Sequence, residues 1–266
     1  MDFVNYQMES LKILFVGNSF AVDTMEYAAN IALSLGVEKV KFMTLYVGGC
    51  SIDMHYHHAL EDAPAYTCYV NEGAGWSSTQ GCKISDAVKS DEWDFIAIQH
   101  GTNGNARYTS CECYENLSPL VDYLKTLAPS HTKIAFNLTW LGESTRQHHE
   151  IISYRGNMAL MRENLVKVTK AMVLSNPKID LIVPTGTAIE NARTSNIGLL
   201  TRDCYHLSMD KGRFIAGLAF ISTITGIDAG KIAWTPDNVD EYAVKVAIES
   251  VKNAQKYPFS ITKSEF

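Results

Sequence analysis

Short runs rich in Val, Ile and Phe alternate along this chain with longer stretches whose apolar residues recur every three or four positions. No other feature constrains the fold as tightly. Strands of a parallel sheet are buried on both faces and read as near-continuous apolar runs, while the crossover helices that cover them read as amphipathic. Five such runs stand at residues 11–16, 40–47, 93–99, 133–138 and 179–184. Helical spacing marks 22–35, 114–127, 158–175, 208–225 and 239–256. The pattern predicts an α/β protein, a three-layer α/β/α sandwich around a five-stranded parallel sheet. Residues 66–72 and 76–82 break it, because they are short, carry aromatic or hydroxyl side chains and are joined by Asn71-Glu72-Gly73-Ala74-Gly75. They read as a hairpin inserted between the second and third strands.

Composition sets the outer bounds. With 266 residues, 46% of them hydrophobic and 20% charged, the chain can bury one sizeable core. No Pro/Ser-rich tract or block of like charge divides it, so residues 1–266 are expected to form a single domain with its core at about 11–256. A formal net charge of −6 excludes a nucleic-acid binder that must neutralise phosphates, and disfavours acidic polymers as partners. The six cysteines are too sparse to be the framework of the fold, and Cys111-Glu112-Cys113 lacks the two-residue gap of a zinc knuckle, so free thiols are expected. Residues 1–10 contain Asp2 and Glu9 and no apolar run, which fits neither a signal peptide nor a membrane anchor. A cytoplasmic location without membrane association is the expectation for the sequence as it stands.

In an open α/β sheet, ligands bind beyond the carboxyl ends of the strands. The unusual residues sit there. Gly17-Asn18-Ser19-Phe20 follows the first run and leads into a helix, where a serine hydroxyl is exposed near free backbone N–H groups. Ser19 read alone could equally cap that helix. Gly48-Gly49-Cys50-Ser51 follows the second run and Gly101-Thr102-Asn103-Gly104-Asn105 the third. Glycine permits close backbone approach, and an asparagine amide can donate to an oxyanion. Asp203-Cys204-Tyr205-His206 comes near the end, at a spacing that lets one loop present a carboxylate and an imidazole together.

These four segments, in this order, resemble the conserved blocks of the SGNH/GDSL hydrolases. Gly17-Asn18-Ser19 stands for the Gly-Asp-Ser block, Gly49 for the block-two glycine, Gly101-Thr102-Asn103-Gly104 for Gly-x-Asn-Asp, and Asp203-Cys204-Tyr205-His206 for Asp-x-x-His. The resemblance runs from about residue 11 to 225, and is closest to a bacterial branch of uncharacterised domains with Gly-Asn-Ser at the nucleophile. It implies a flavodoxin-like SGNH fold and a serine esterase needing no cofactor. Ser19 would be the nucleophile, His206 the base and Asp203 its partner. The oxyanion hole would comprise the N–H groups of Ser19 and Gly49 and the amide of Asn103, with Asn105 and Gln99 as the other amides at hand. Two positions depart from the pattern. Asn18 and Gly104 stand where the family carries aspartates, which is expected to remove support from both loops.

Other signals point less sharply. His55-Tyr56-His57-His58 with Glu61 and Asp62 could bind a metal, but without a partner set elsewhere a solvated or substrate-facing helix is expected. His148-His149 reads as a polar loop. Trp140, after the fourth run, and Tyr205 are candidates for contact with substrate, through a sugar ring or an acyl group. By the resemblance, the substrate is a small-molecule or carbohydrate ester, with acetyl or another short acyl group removed. A lipid or thioester acyl hydrolase, or a silent carbohydrate-binding relative, are the competing functions.

Overall fold

The structure, a computed structural model, describes residues 8–100, 109–143 and 149–266. Its strands are β1 (Ser10–Gly17), β2 (Lys39–Tyr46), β3 (Tyr66–Asn71), β4 (Trp76–Cys82), β5 (Phe95–Gln99), β6 (Lys133–Asn137) and β7 (Leu181–Val183). The helices are α1 (Ser19–Met25), α2 (Ala28–Ser34), α3 (Ile52–Leu60), α4 (Ile84–Lys89), α5 (Leu117–Leu127), α6 (His149–Ser153), α7 (Met158–Val168), α8 (Thr185–Ala192), α9 (Lys211–Thr225) and α10 (Glu241–Lys256). A π-helical turn, Thr169–Leu174, prolongs α7.

Among the described residues, seven strands form one sheet in the order β4-β3-β2-β1-β5-β6-β7. The five apolar runs are parallel neighbours. The hairpin lies where the sequence places it, but it joins the sheet: β3 pairs antiparallel with β2, and β4 with β3. The expected five-stranded parallel sheet is therefore a seven-stranded, mostly parallel one. Apolar residues on both faces of β1 explain the layering. Leu11, Ile13 and Phe15 join the core under α1, α2, α8, α9 and α10, while Leu14 and Val16 join the core under α3, α4 and α5.

The expected helix over 22–35 divides in two. Trp76 on β4 donates its indole N–H to the Glu26 carbonyl at 3.1 Å, and Tyr27 takes a non-helical backbone as N-cap of α2. A tertiary hydrogen bond thus takes hold where helical spacing alone predicted continuity. All six cysteines are free thiols. Among the described residues no helix is long and apolar enough to cross a membrane.

Candidate active site

Strand order reverses about β1, whose neighbours are β2 on one side and β5 on the other. The turn after β1 therefore opens at a topological switch point. Gly17 ends the strand because a Cβ there would stand 2.6 Å from the Ala21 Cβ, too close for α1 to start where it does. Asn18, not Ser19, caps the helix, accepting the Phe20 N–H on Oδ1 at 3.0 Å. Ser19 is left half-buried with its hydroxyl available.

That hydroxyl faces the loop between α8 and α9. Ser19 Oγ lies 2.9 Å from His206 Nε2, and His206 Nδ1 lies 2.6 Å from Asp203 Oδ2. A carboxylate can only accept, so Nδ1 carries the proton and Nε2 is left to accept from the serine. Asp203 also builds the loop, because its Oδ1 accepts the N–H groups of Tyr205 at 3.1 Å and His206 at 2.7 Å. Burial acts to raise its pKa, but the hydrogen bonds from the His206 ring and from these two N–H groups outweigh it and hold the carboxyl below its ordinary value. Cys204 between them has φ of 62°, a left-handed conformation uncommon for a residue with a Cβ, which turns the chain tightly enough to return His206 towards Ser19.

The loop is tied to the helix that carries Ser19. Asp23, one turn after Ser19 and wholly buried, accepts the Leu207 N–H at 2.8 Å, Arg202 Nη1 at 3.0 Å and Arg213 Nε at 2.9 Å. Arg202 precedes Asp203 and Leu207 follows His206, so one carboxylate holds both ends of the loop. Sequence reasoning missed Asp23. Its position four residues after the serine was the available signal.

A buried polar chain lies under the site. Gln99 Nε2 donates to Asn18 Oδ1 at 2.8 Å, Asn137 Nδ2 to Gln99 Oε1 at 3.3 Å, and Thr185 Oγ1 to Asn137 Oδ1 at 2.6 Å. It joins the carboxyl ends of β1, β5, β6 and β7. Gln99, 1% exposed, commits its amide oxygen and one amide N–H to this chain. Asn18 Nδ2 also donates to the Cys50 carbonyl at 3.0 Å, fastening the Gly48–Cys50 turn to the turn that carries Ser19. The expectation that asparagine weakens this loop is thus corrected: the amide supplies a donor that aspartate lacks. Gly49 in that turn has φ of 65°, which suits glycine. Asn103, Gly104, Asn105 and His148 lie outside the described residues.

Trp140 and Tyr205, expected to contact substrate, are instead packed beneath the Asp203–His206 loop. Trp140 is wholly buried, Tyr205 nearly so; Phe20 stacks on Trp140 at 4.3 Å, and Trp140 Nε1 donates to the Tyr205 carbonyl at 2.8 Å. They pack under the loop because the small Gly142 lets Tyr205 close against the chain after β6. The histidines of α3 also divide. His57 is exposed beside Asp53, whereas His55 is buried with Nδ1 2.8 Å from the Tyr66 hydroxyl and 3.4 Å from Cys50 Sγ. Burial, helped by His58, pushes His55 down to about 3, and burial pushes the Cys50 thiol up to about 12. This pair stays neutral at physiological pH and offers no competing thiolate. Among the described residues no cluster of three or more His, Cys, Asp or Glu could hold a metal ion.

Fold and site together define an α/β protein with Ser, His and Asp in hydrogen-bonded series at the switch point of its sheet. The chain belongs to the DUF4886 family, a domain of unknown function, whose model matches residues 12–254. It is similar to a DUF4886 family protein from Bacteroides uniformis, with 28% identity and a TM-score of 0.90 over 96% of this chain and 98% of that one. It is also similar to a catalytic mutant of Axe2, an acetylxylan esterase from Geobacillus stearothermophilus, at 16% identity and a TM-score of 0.50, covering 82% and 96% of the two chains. TesA gives 11% identity and a TM-score of 0.50, covering 81% and 99%. At these identities the last two likenesses are of fold. No curated protein matches the chain.

Proposed function

We propose that the chain is a serine esterase of the SGNH/GDSL type that hydrolyses carboxylic esters through an acyl-enzyme. One observation carries the reading: the unbroken series Ser19 Oγ, His206, Asp203, with spacings of 2.9 and 2.6 Å, at the carboxyl edge of the sheet. His206 Nε2 takes the hydroxyl proton as Ser19 Oγ bonds to the ester carbonyl carbon, and Asp203 stabilises the imidazolium. The tetrahedral oxyanion is met by the N–H groups of Ser19 and Gly49 and by the amide of Asn103, each donor contributing about 3 kcal/mol. Collapse breaks the ester C–O bond, and His206 returns its proton to the departing alcohol. Water, deprotonated by His206, then attacks the acyl-enzyme, releasing the carboxylic acid and restoring Ser19. The route uses protein groups and water alone.

The substrate class in this reading is a carbohydrate ester bearing a short acyl group. The fold it shares with an acetylxylan esterase supports this. Purified protein is expected to hydrolyse p-nitrophenyl acetate, and Ser19→Ala to lower the rate by on the order of a thousandfold or more. Equal rates in the two proteins overturn the assignment.

A further inference from the structure

The hairpin widens the sheet past β2 and leaves a second recess beside the nucleophile helix. Thr44 on β2 pairs with Phe15 on one side and Tyr69 on the other, and Phe15 packs in the core under α1. Paired residues share a sheet face, so Thr44 and Tyr69 stand on the α1 side. The same register places Trp76, opposite Asn71, on that side with Phe42. A cavity of about 200 Å³ opens between these strands and α1, lined by Val22, Met25, Glu26, Thr44, Tyr69 and Trp76.

Its lining is selective. Trp76 and Tyr69 are half-buried aromatic walls, and the Trp76 ring is fixed by its bond to the Glu26 carbonyl. The Glu26 carboxylate is held from behind, with Oε2 2.8 Å from Arg213 Nη1. Thr44 is 1% exposed, and its Oγ1 is buried without a hydrogen-bond partner among the described residues. An alkyl chain here would leave that hydroxyl unmatched and strip water from a carboxylate, both unfavourable. A saturated ring bearing hydroxyls meets both demands: its C–H face packs on the aromatic walls, and its O–H groups reach Glu26 and Thr44.

The cavity also adjoins the chemistry. Val22 lies three residues past Ser19, about 4.5 Å along the helix. Tyr46, paired with Gly17, brings its hydroxyl to 3.2 Å from where a Cβ on Gly48 would stand, and its ring contacts Tyr69 with centroids 5.9 Å apart. An aromatic track thus leads from the Gly48–Gly49 turn into the cavity. We propose that this recess is a carbohydrate subsite, holding a pyranose ring of the alcohol half of the ester presented to Ser19. Its link to catalysis rests on the esterase reading; its affinity for a sugar ring does not.

The test compares wild type, Trp76→Leu and Thr44→Val on two acetyl esters, p-nitrophenyl acetate and a mono-O-acetylated methyl glucopyranoside. Both variants are expected to lower kcat/KM for the sugar ester, through KM, by about tenfold more than for the aryl ester. Thr44→Val removes an unpartnered hydroxyl and keeps the side-chain shape, so it is expected to fold even if Trp76→Leu does not. Parallel losses on both substrates, or none, overturn the subsite. So does a Thr44→Val protein that gains only on p-nitrophenyl hexanoate, which would make the recess an acyl pocket. If wild type cleaves neither acetyl ester, the esterase reading fails by itself. The subsite is then decided by saturation-transfer NMR with methyl glucopyranoside: transfer lost in Thr44→Val supports it, and no transfer to wild type overturns it.

Discussion

Asn18 works harder than its place before Ser19 suggests. It caps α1, accepts from Gln99, and donates to the Cys50 carbonyl, so one side chain positions the serine turn, the polar chain beneath it and the Gly49 turn. An aspartate could keep the first two contacts but would bring a carboxylate against the Cys50 carbonyl. Asn18→Asp is therefore predicted to destabilise the fold by about 1–3 kcal/mol in urea unfolding, despite restoring the residue of the family it resembles. Stability equal to wild type would show that the donor to Cys50 is dispensable. Ser19, Asp203 and His206 were singled out in the sequence by the family resemblance of four segments taken together, not by any one of them alone. The chain from Asn18 through Gln99 and Asn137 to Thr185 was not legible there. Its links span 81, 38 and 48 residues, and each member alone is an ordinary polar residue at a strand end.

Between elements, the decisive contact joins α1 to the loop before α9. Asp23 holds that loop by Leu207 and Arg202 and holds α9 by Arg213, whose Nη1 reaches on to Glu26. Removing one member of a buried ion-pair network leaves its partners charged in a poor solvent. Asp23→Asn is predicted to cost about 3–5 kcal/mol in urea unfolding. It is also predicted to lower kcat with little change in KM, because the loop's hold on His206 relaxes while the substrate surface stays. A variant of wild-type stability and kcat would contradict the role given to Asp23. The sequence places strands and helices well because periodicity is local. It misses the break between α1 and α2 because the Trp76 indole that takes the Glu26 carbonyl comes from 50 residues away. It finds the hairpin, but not its addition to the sheet, since pairing with β2 is a choice between edges that no local pattern records.

Across the whole molecule, two apolar layers enclose the sheet and leave its carboxyl edge for chemistry. The switch at β1 parts the loops there, and the first of them carries the serine. The loop from α8 to α9 brings the histidine back across that gap, over a separation of 187 residues. The buried polar chain and Asp23 brace the two segments that meet there. The most direct measurement is reaction with a fluorophosphonate, read by peptide mass mapping. A single adduct on Ser19, absent in Ser19→Ala and formed far more slowly in His206→Ala, is the predicted result. Labelling at another residue, or at the same rate without His206, would contradict the account.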